Sequence, residues 1–219
     1  EDAPKGFLPD VAAAANNLGV LLDSLGERRE ARSLAEEALA IYRRLAGESP
    51  EAYLSDVAMT ANNLGALLAE QGEREQAKKL FEEALAIRRR QADENPDSRL
   101  PEVAMTVNNL GNLLVDLGEP GEARSLYYGA LAIYRRLAKD NPKAYLPDVA
   151  MMANNLGIHL KKIGERDQAR EFYEEALAIR RKLAEENPKA YLPDAAASAN
   201  ALASLLRSLG ERGQARTNH

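Results

Sequence analysis

Apolar residues return along this chain in steps of three and four. Over residues 56–70, Val57, Ala61, Leu64 and Leu68 stand at i, i+4, i+7 and i+11, which places them on one face of a helix. A second run follows over residues 74–93, where Ala77, Leu80, Ala84, Ile87 and Gln91 form a stripe among charged positions. The spacing predicts one helix over each run. Between them Gly72 supplies the left-handed backbone that a helix C-terminus often needs. Leu54-Ser55-Asp56 reads as the start of the first helix; Pro9, Pro101, Pro147 and Pro193 replace that serine elsewhere. Proline suits a first turn, whose N–H is unpaired anyway, and the aspartate complements the helix dipole. Asn95-Pro96 reads as the stop of the second helix, because the residue before a proline is pushed out of helical conformation. Such helices would be about 22 and 30 Å long at the usual rise per residue.

This two-helix pattern recurs every 46 residues. Asn-Asn-Leu-Gly occurs at 16–19, 62–65, 108–111 and 154–157, and survives at 200–203 as Asn-Ala-Leu-Ala. Gly26, Gly72, Gly118, Gly164 and Gly210 keep the same step, as do Pro4, Pro50, Pro96, Pro142 and Pro188. Neither helix of a pair can bury its apolar stripe alone, so the hairpins must stack. The expected organisation is therefore all-α. One array spans residues 1–219, with units of about 8–53, 54–99, 100–145 and 146–191 and a partial fifth at 192–219. Glu1-Asp2-Ala3-Pro4 aligns with the later linkers, and the fifth unit holds its first helix without room for a second, so the stretch reads as part of a longer array.

Composition changes this picture little. Aromatics are only 5 %, Trp is absent, and Ala, Leu, Glu and Arg, all strong helix formers, dominate. A net charge of −5 argues against a nucleic-acid surface, which is normally basic. No apolar run approaches the roughly 18 residues of a membrane span. The lack of cysteine fits a reducing cytoplasm.

Leu64-Gly65, Gly72, Ala77, Phe81 and Ala84 carry a resemblance. The third unit matches with Leu110-Gly111, Gly118, Ala123, Tyr127 and Ala130, the fourth with Leu156-Gly157, Gly164, Ala169, Tyr173 and Ala176. In this order of small, aromatic and small residues the chain resembles the tetratricopeptide repeat. The departure is length: the second helix continues about three turns beyond the usual unit. Long units with tandem asparagine resemble those of kinesin light chains, and more closely bacterial arrays joined to signalling ATPase or caspase-like domains. The resemblance implies a right-handed α-solenoid of antiparallel helix hairpins whose concave wall, built from first helices, binds a peptide or partner protein. It implies no cofactor.

Three first-helix positions change freely between units while the packing residues recur. They are Val20, Ala66, Asn112, Ile158, Ser204; then Asp23, Ala69, Val115, Lys161, Arg207; then Ser24, Glu70, Asp116, Lys162, Ser208. Along the series the charge drifts from acidic to basic. By the resemblance, Asn17, Asn63, Asn109 and Asn155 match the asparagine that contacts a ligand backbone, as an amide with both donor and acceptor can. Asn16, Asn62, Asn108 and Asn154 lie one position back on the same side. Each pair reads equally well as a structural ladder to a neighbouring helix. For the first asparagine that reading is favoured, because it persists at Asn200 where the second is lost. The expected contact set is therefore these eight amides with Asn112, Asp116, Lys161, Lys162 and Arg207.

Other features read as structural. Arg43-Arg44, Arg88-Arg89-Arg90 and Arg180-Arg181-Lys182 sit late in the second helices, where cations favour the dipole and upstream glutamates, so they read as solvated charge. His159 stands where other units have Leu21, Leu67, Leu113 and Leu205, and reads as a tolerated substitution or a partner contact. Nucleophile elbow, phosphate loop and metalloprotease motifs are all absent, so no enzyme is expected. A second class of reading is self-assembly or autoinhibitory packing: Leu202, Leu205, Leu206 and Leu209 leave an apolar C-terminal end, uncapped, that suits a second copy. Irregular differences such as Gln91, Pro120, Gly129 and His159 read as natural drift rather than consensus design.

Overall fold

A computed structural model of the chain describes the backbone of residues 5–94 and 96–217, with side chains over 6–94 and 99–210. Residues 1–4, read above as a linker, and Asn95 lie outside the described residues. After a short 3-10 turn at Lys5–Phe7 come α1 (Leu8–Ser24), α2 (Arg28–Glu48), α3 (Pro50–Glu70), α4 (Arg74–Glu94) and α5 (Pro96–Leu117). They are followed by α6 (Pro120–Asp140), α7 (Pro142–Lys162), α8 (Arg166–Glu186) and α9 (Pro188–Thr217). No strand occurs among the described residues. The chain divides into two compact units, residues 1–117 with α1 to α5 and residues 118–219 with α6 to α9. Within the first, α1 packs on α2, α2 on α3, α3 on α4 and α4 on α5; within the second, α6 packs on α7, α7 on α8 and α8 on α9. Odd-numbered helices are the first helices of the sequence pattern, here called A, and even-numbered ones are B.

Four A helices, α3, α5, α7 and α9, begin six residues earlier than the sequence pattern suggested, whereas α1 starts at Leu8 with Pro9 in its first turn. Pro50, Pro142 and Pro188 are not linker residues but open the next helix, with Pro at its first position. Asn141 caps α7 by accepting from the Ala144 N–H at 3.3 Å, and Asn187 does the same from Ala190 at 3.3 Å. Asn-Pro therefore both stops the B helix and starts the next A helix one residue later. Pro101, Pro147 and Pro193 then fall inside α5, α7 and α9. Their missing N–H removes the donor to a carbonyl four residues back, which in the second unit belongs to exposed Lys143 and Lys189 and so stays open to solvent.

Each hairpin turns on a glycine. Gly26, Gly72, Gly118 and Gly164 have φ of 84, 83, 79 and 90°. At the first, Glu27 N–H bonds Leu22 O at 2.9 Å and Gly26 N–H bonds Asp23 O at 2.9 Å, the paired bonds that finish a helix through a left-handed residue. Gly210 does not follow. It has no positive φ, and α9 runs through it to Thr217.

α3 is buried on two sides, against α2 and α4. In α3, Val57, Ala61, Leu64 and Leu68 are all buried as the spacing predicted, joined by Ala58, Thr60, Gly65 and Leu67. The stripe of α4 is rotated from its expected position: Ala77, Phe81, Ala84, Leu85, Arg88 and Ala92 are buried, while Leu80, Ile87 and Gln91 are only half-buried. The rotation arises because α4 packs against A helices on both sides, α3 and α5.

Arg88 overturns the reading of its run as solvated charge. It is 4 % exposed, and its Nη1 donates to the Glu102 carbonyl at 3.1 Å and to the Thr106 hydroxyl. Arg180 repeats this with the Asp194 carbonyl at 3.1 Å and Ser198 at 2.6 Å. Arg43 is not free charge either, since its Nε reaches Glu83 of the next B helix at 3.1 Å, as Arg135 reaches Glu175 at 3.2 Å. Arg44, Arg89, Arg90, Arg181 and Lys182 are exposed, as read.

Candidate binding face

The A-helix face is built from the positions left over once the helices pack. In the first unit, Asn16 and Asn62 are buried, 4 % and 5 % exposed, and each accepts a hydrogen bond from the next A helix. Asn63 Nδ2 donates to Asn16 Oδ1 at 3.4 Å, and Asn109 Nδ2 donates to Asn62 Oδ1 at 3.2 Å. The tandem asparagines thus form a ladder in which the first residue is an internal acceptor and the second is held in place by it. Asn63 and Asn109 are half-buried and Asn17 is exposed. An amide has two N–H donors and a carbonyl, so one ladder bond leaves it able to pair with something further. In the second unit Asn154 and Asn155 are half-buried, as Asn108 is in the first.

The freely varying positions lie mostly on exposed surface. Val20, Asn112, Ile158, Ser204, Asp116, Lys162 and Arg207 are exposed, and Ala66, Asp23, Val115 and Lys161 half so. Several are engaged: Glu70 pairs with Arg28 at 3.0 Å, and Lys161 donates to Ser204 at 3.2 Å. Ser24 and Ser208 turn their hydroxyls back to Leu21 O at 2.6 Å and Leu205 O at 2.7 Å. The face carries Asp23, Glu70 and Asp116 in the first unit, and Lys161, Lys162 and Arg207 in the second.

His159 is not a surface residue. It is 1 % exposed, its ring lies 5.6 Å from that of Tyr127, and neither ring nitrogen has a hydrogen-bonding partner. A partner contact is therefore corrected to a histidine in a leucine site. Burial pushes its pKa below the ordinary value, helped by the positive charges of Arg124 and Lys162. The unfolded chain takes up the proton more readily, so stability falls as pH drops below the usual histidine range. His159→Leu should raise stability by about 1–2 kcal/mol at mildly acidic pH and by less at neutral pH. Urea melts of both proteins at two pH values check this.

Among the described residues no group of three or more acidic or histidine side chains could hold a metal ion, and no helix is long and apolar enough to cross a membrane. Family models described as tetratricopeptide repeat match residues 11–51, 57–90 and 102–182. The chain belongs to the tetratricopeptide repeat family. Members of that family are typically non-catalytic scaffolds that bind protein partners. Among solved structures, this tetratricopeptide chain is similar to BtubC (BKLC) from P. vanneervenii, with a TM-score of 0.72 and 27 % identity over 96 % of this chain and 77 % of that one. It is similar in fold to a putative kinesin light chain with nearly identical repeats from Podosopora anserina, at TM-score 0.70 and 20 % identity over 99 % and 93 %. MamA follows in fold at 0.57 and 18 %, over 81 % and 82 %. No curated protein gives a significant match.

Sequence reasoning missed one element of the tetratricopeptide face. Beside Gly19, where other hairpins place Phe81 or Tyr173, the first has Ala35, and a cavity opens there. Aligning the first unit with the rest at that position would have found it.

Proposed function

We propose that the chain is a non-catalytic scaffold that holds an extended peptide, or an extended segment of a partner protein, along its A-helix face. The asparagine ladder carries this reading. Asn63 and Asn109 are fixed by buried acceptors, so they meet a ligand already oriented, and amides recognise peptide backbone whatever its side chains. Asp23, Glu70 and Asp116 of the first unit would then favour basic flanking residues in its ligand. A cytoplasmic setting fits a chain without cysteine.

The test compares the two members of each pair on peptides selected from a random library. Asn63→Ala, Asn109→Ala and Asn155→Ala together should weaken binding about a hundredfold, near 1 kcal/mol per lost hydrogen bond. Asn16→Ala with Asn62→Ala should weaken it far less. The triple variant also orphans Asn16 and Asn62 as acceptors, so its melting temperature should fall a few degrees while helicity by circular dichroism persists. Equal affinity for wild type and triple variant would remove the ladder from the binding role.

A second reading, self-association, is favoured by α1. Leu21 is 53 % exposed, whereas Leu67, Leu113 and Leu205 at the same position are 5, 4 and 0 % exposed under a preceding B helix. Leu18 and Leu25 extend this face. At the other end Leu205 is buried and Leu206 exposed, so among the described residues the larger apolar surface is on α1. Light scattering over a concentration series decides: a strict monomer excludes this reading.

A further inference from the structure

Two hairpins show how the space beside the A-helix glycine is normally filled. A Cβ on Gly65 would stand 2.9 Å from Phe81 Cε1, and one on Gly157 would stand 2.9 Å from the Tyr173 ring. Both rings are buried. In α1/α2 the corresponding residues are Gly19 and Ala35. A Cβ on Gly19 would meet Ala31 O at 3.1 Å, Ala35 N at 3.6 Å and Leu34 Cβ at 3.6 Å, and no ring. Neighbouring side chains do not close the gap. A cavity of about 160 Å³ remains, floored by Gly19, Ala31 and Ala35 and walled by Val20, Ala66 and Leu67. Its volume is close to the roughly 150 Å³ of an engineered apolar cavity that takes up benzene.

We propose that this cavity receives the side chain of a phenylalanine or tyrosine of the bound peptide. The partner would supply from outside the ring that Phe81 and Tyr173 supply from within the chain. The inference rests on the peptide-binding reading above and names the side chain that its ligand must carry. Polar groups stand where such a residue's backbone would enter. Asn63 lines the cavity and has amide capacity beyond its bond to Asn16, whose side chain also lines it. Asp23 lines the opposite end, and its Oδ1 is buried without a hydrogen-bonding partner. An apolar floor with an unpaired acceptor suits a ring flanked by N–H or O–H donors better than it suits water, which would find few partners on the floor. Seating the ring should contribute about a ten- to hundredfold in affinity.

A displayed random peptide library, selected in parallel on the wild-type protein and on Ala35→Phe, tests the assignment. Ala35→Phe places the chain's own ring in the cavity, so the variant should melt above the wild type. Ala35→Leu, a smaller filler, serves beside it should the larger side chain disturb folding. The expected result is enrichment of Phe or Tyr at one fixed register on the wild type, lost on both variants while the remaining selected pattern survives. Peptides selected without aromatic preference, or with a preference that the filled variants keep, overturn the cavity assignment and leave the binding face standing. Selection of no peptide by the wild type overturns both together.

Discussion

Phe81→Ala is expected to cost about 3–5 kcal/mol, the largest effect of any single substitution in the first unit. The ring is 2 % exposed and lies against the helix backbone at Gly65, so its removal leaves a hole that two α-helices cannot close without moving as rigid rods. The partner glycine makes the account testable beyond a single number. Gly65→Ala in the wild type puts a methyl 2.9 Å from Phe81 Cε1, a distance that forces something to shift, and should cost about 1–3 kcal/mol. In the Phe81→Ala background the same methyl enters vacated space, and its cost should fall towards zero. The double-mutant cycle therefore carries a favourable coupling of the size of the overpacking penalty. Simple additivity would show that the ring and the glycine are not in the contact claimed. Denaturant melts measure all four proteins. Because stacked repeats unfold by nearest-neighbour units, the loss should show as an early transition of the first unit, with the second less affected.

Much of this architecture could be read before any coordinates. A fixed 46-residue step with Gly at the turn and Leu-Gly in the A helix specifies hairpins, since each of those residues has a backbone or packing reason to recur. What misled was proline. Pro50 and Pro142 share the step of Pro96 and read with it as breaks, which they are for the preceding helix, but a first-turn proline is also a helix start, and Asn141 caps the helix that Pro142 opens. Pro101 and Pro147, read as starts, lie five residues further in, and at Pro147 the carbonyl left without its donor belongs to exposed Lys143. Gly210 shows the converse. The residue type permits a left-handed turn, yet only a docked partner helix makes the turn favourable.

The candidate face was legible in part for the same physical reason. Positions that vary among near-identical units are those the packing does not restrain, and Val20, Asn112, Ile158 and Arg207 are indeed exposed. Survival of the first asparagine at Asn200 favours a structural role for it, but the second stays open in sequence, because one residue type serves equally as internal acceptor and as outward donor. Only the Asn63-to-Asn16 and Asn109-to-Asn62 bonds separate the two roles. Burial of His159 and Arg88 was also hidden. Both are polar residues whose composition says surface, while their register says core, and register decided.

Arg88 gives the second large expected effect, because its register sets up a comparison inside the chain. The position holds Tyr42, Arg88, Tyr134 and Arg180, and the residue eighteen further on holds Thr60, Thr106, Met152 and Ser198. Each arginine meets a hydroxyl, while tyrosine is found with Thr60 or with the apolar Met152. A buried guanidinium requires acceptors, and burial pulls its pKa down although it stays charged at any ordinary pH. Arg88→Ala should therefore cost about 2–4 kcal/mol, through the cavity left and the Glu102 carbonyl stripped of its charged donor. Arg88→Tyr, which recreates the Tyr42 and Thr60 pairing, should be near neutral. Thr106→Met with Arg88 retained should cost nearly as much as the alanine, since the cation loses its side-chain acceptor in a site water does not reach. Adding Arg88→Tyr to that variant recreates the Tyr134 and Met152 pairing and should recover most of the loss. Thermal or urea melts of these four proteins settle it: if Arg88→Tyr is as damaging as Arg88→Ala, or the recovery fails, the site is specific to arginine and the two pairings are not interchangeable solutions of one packing problem.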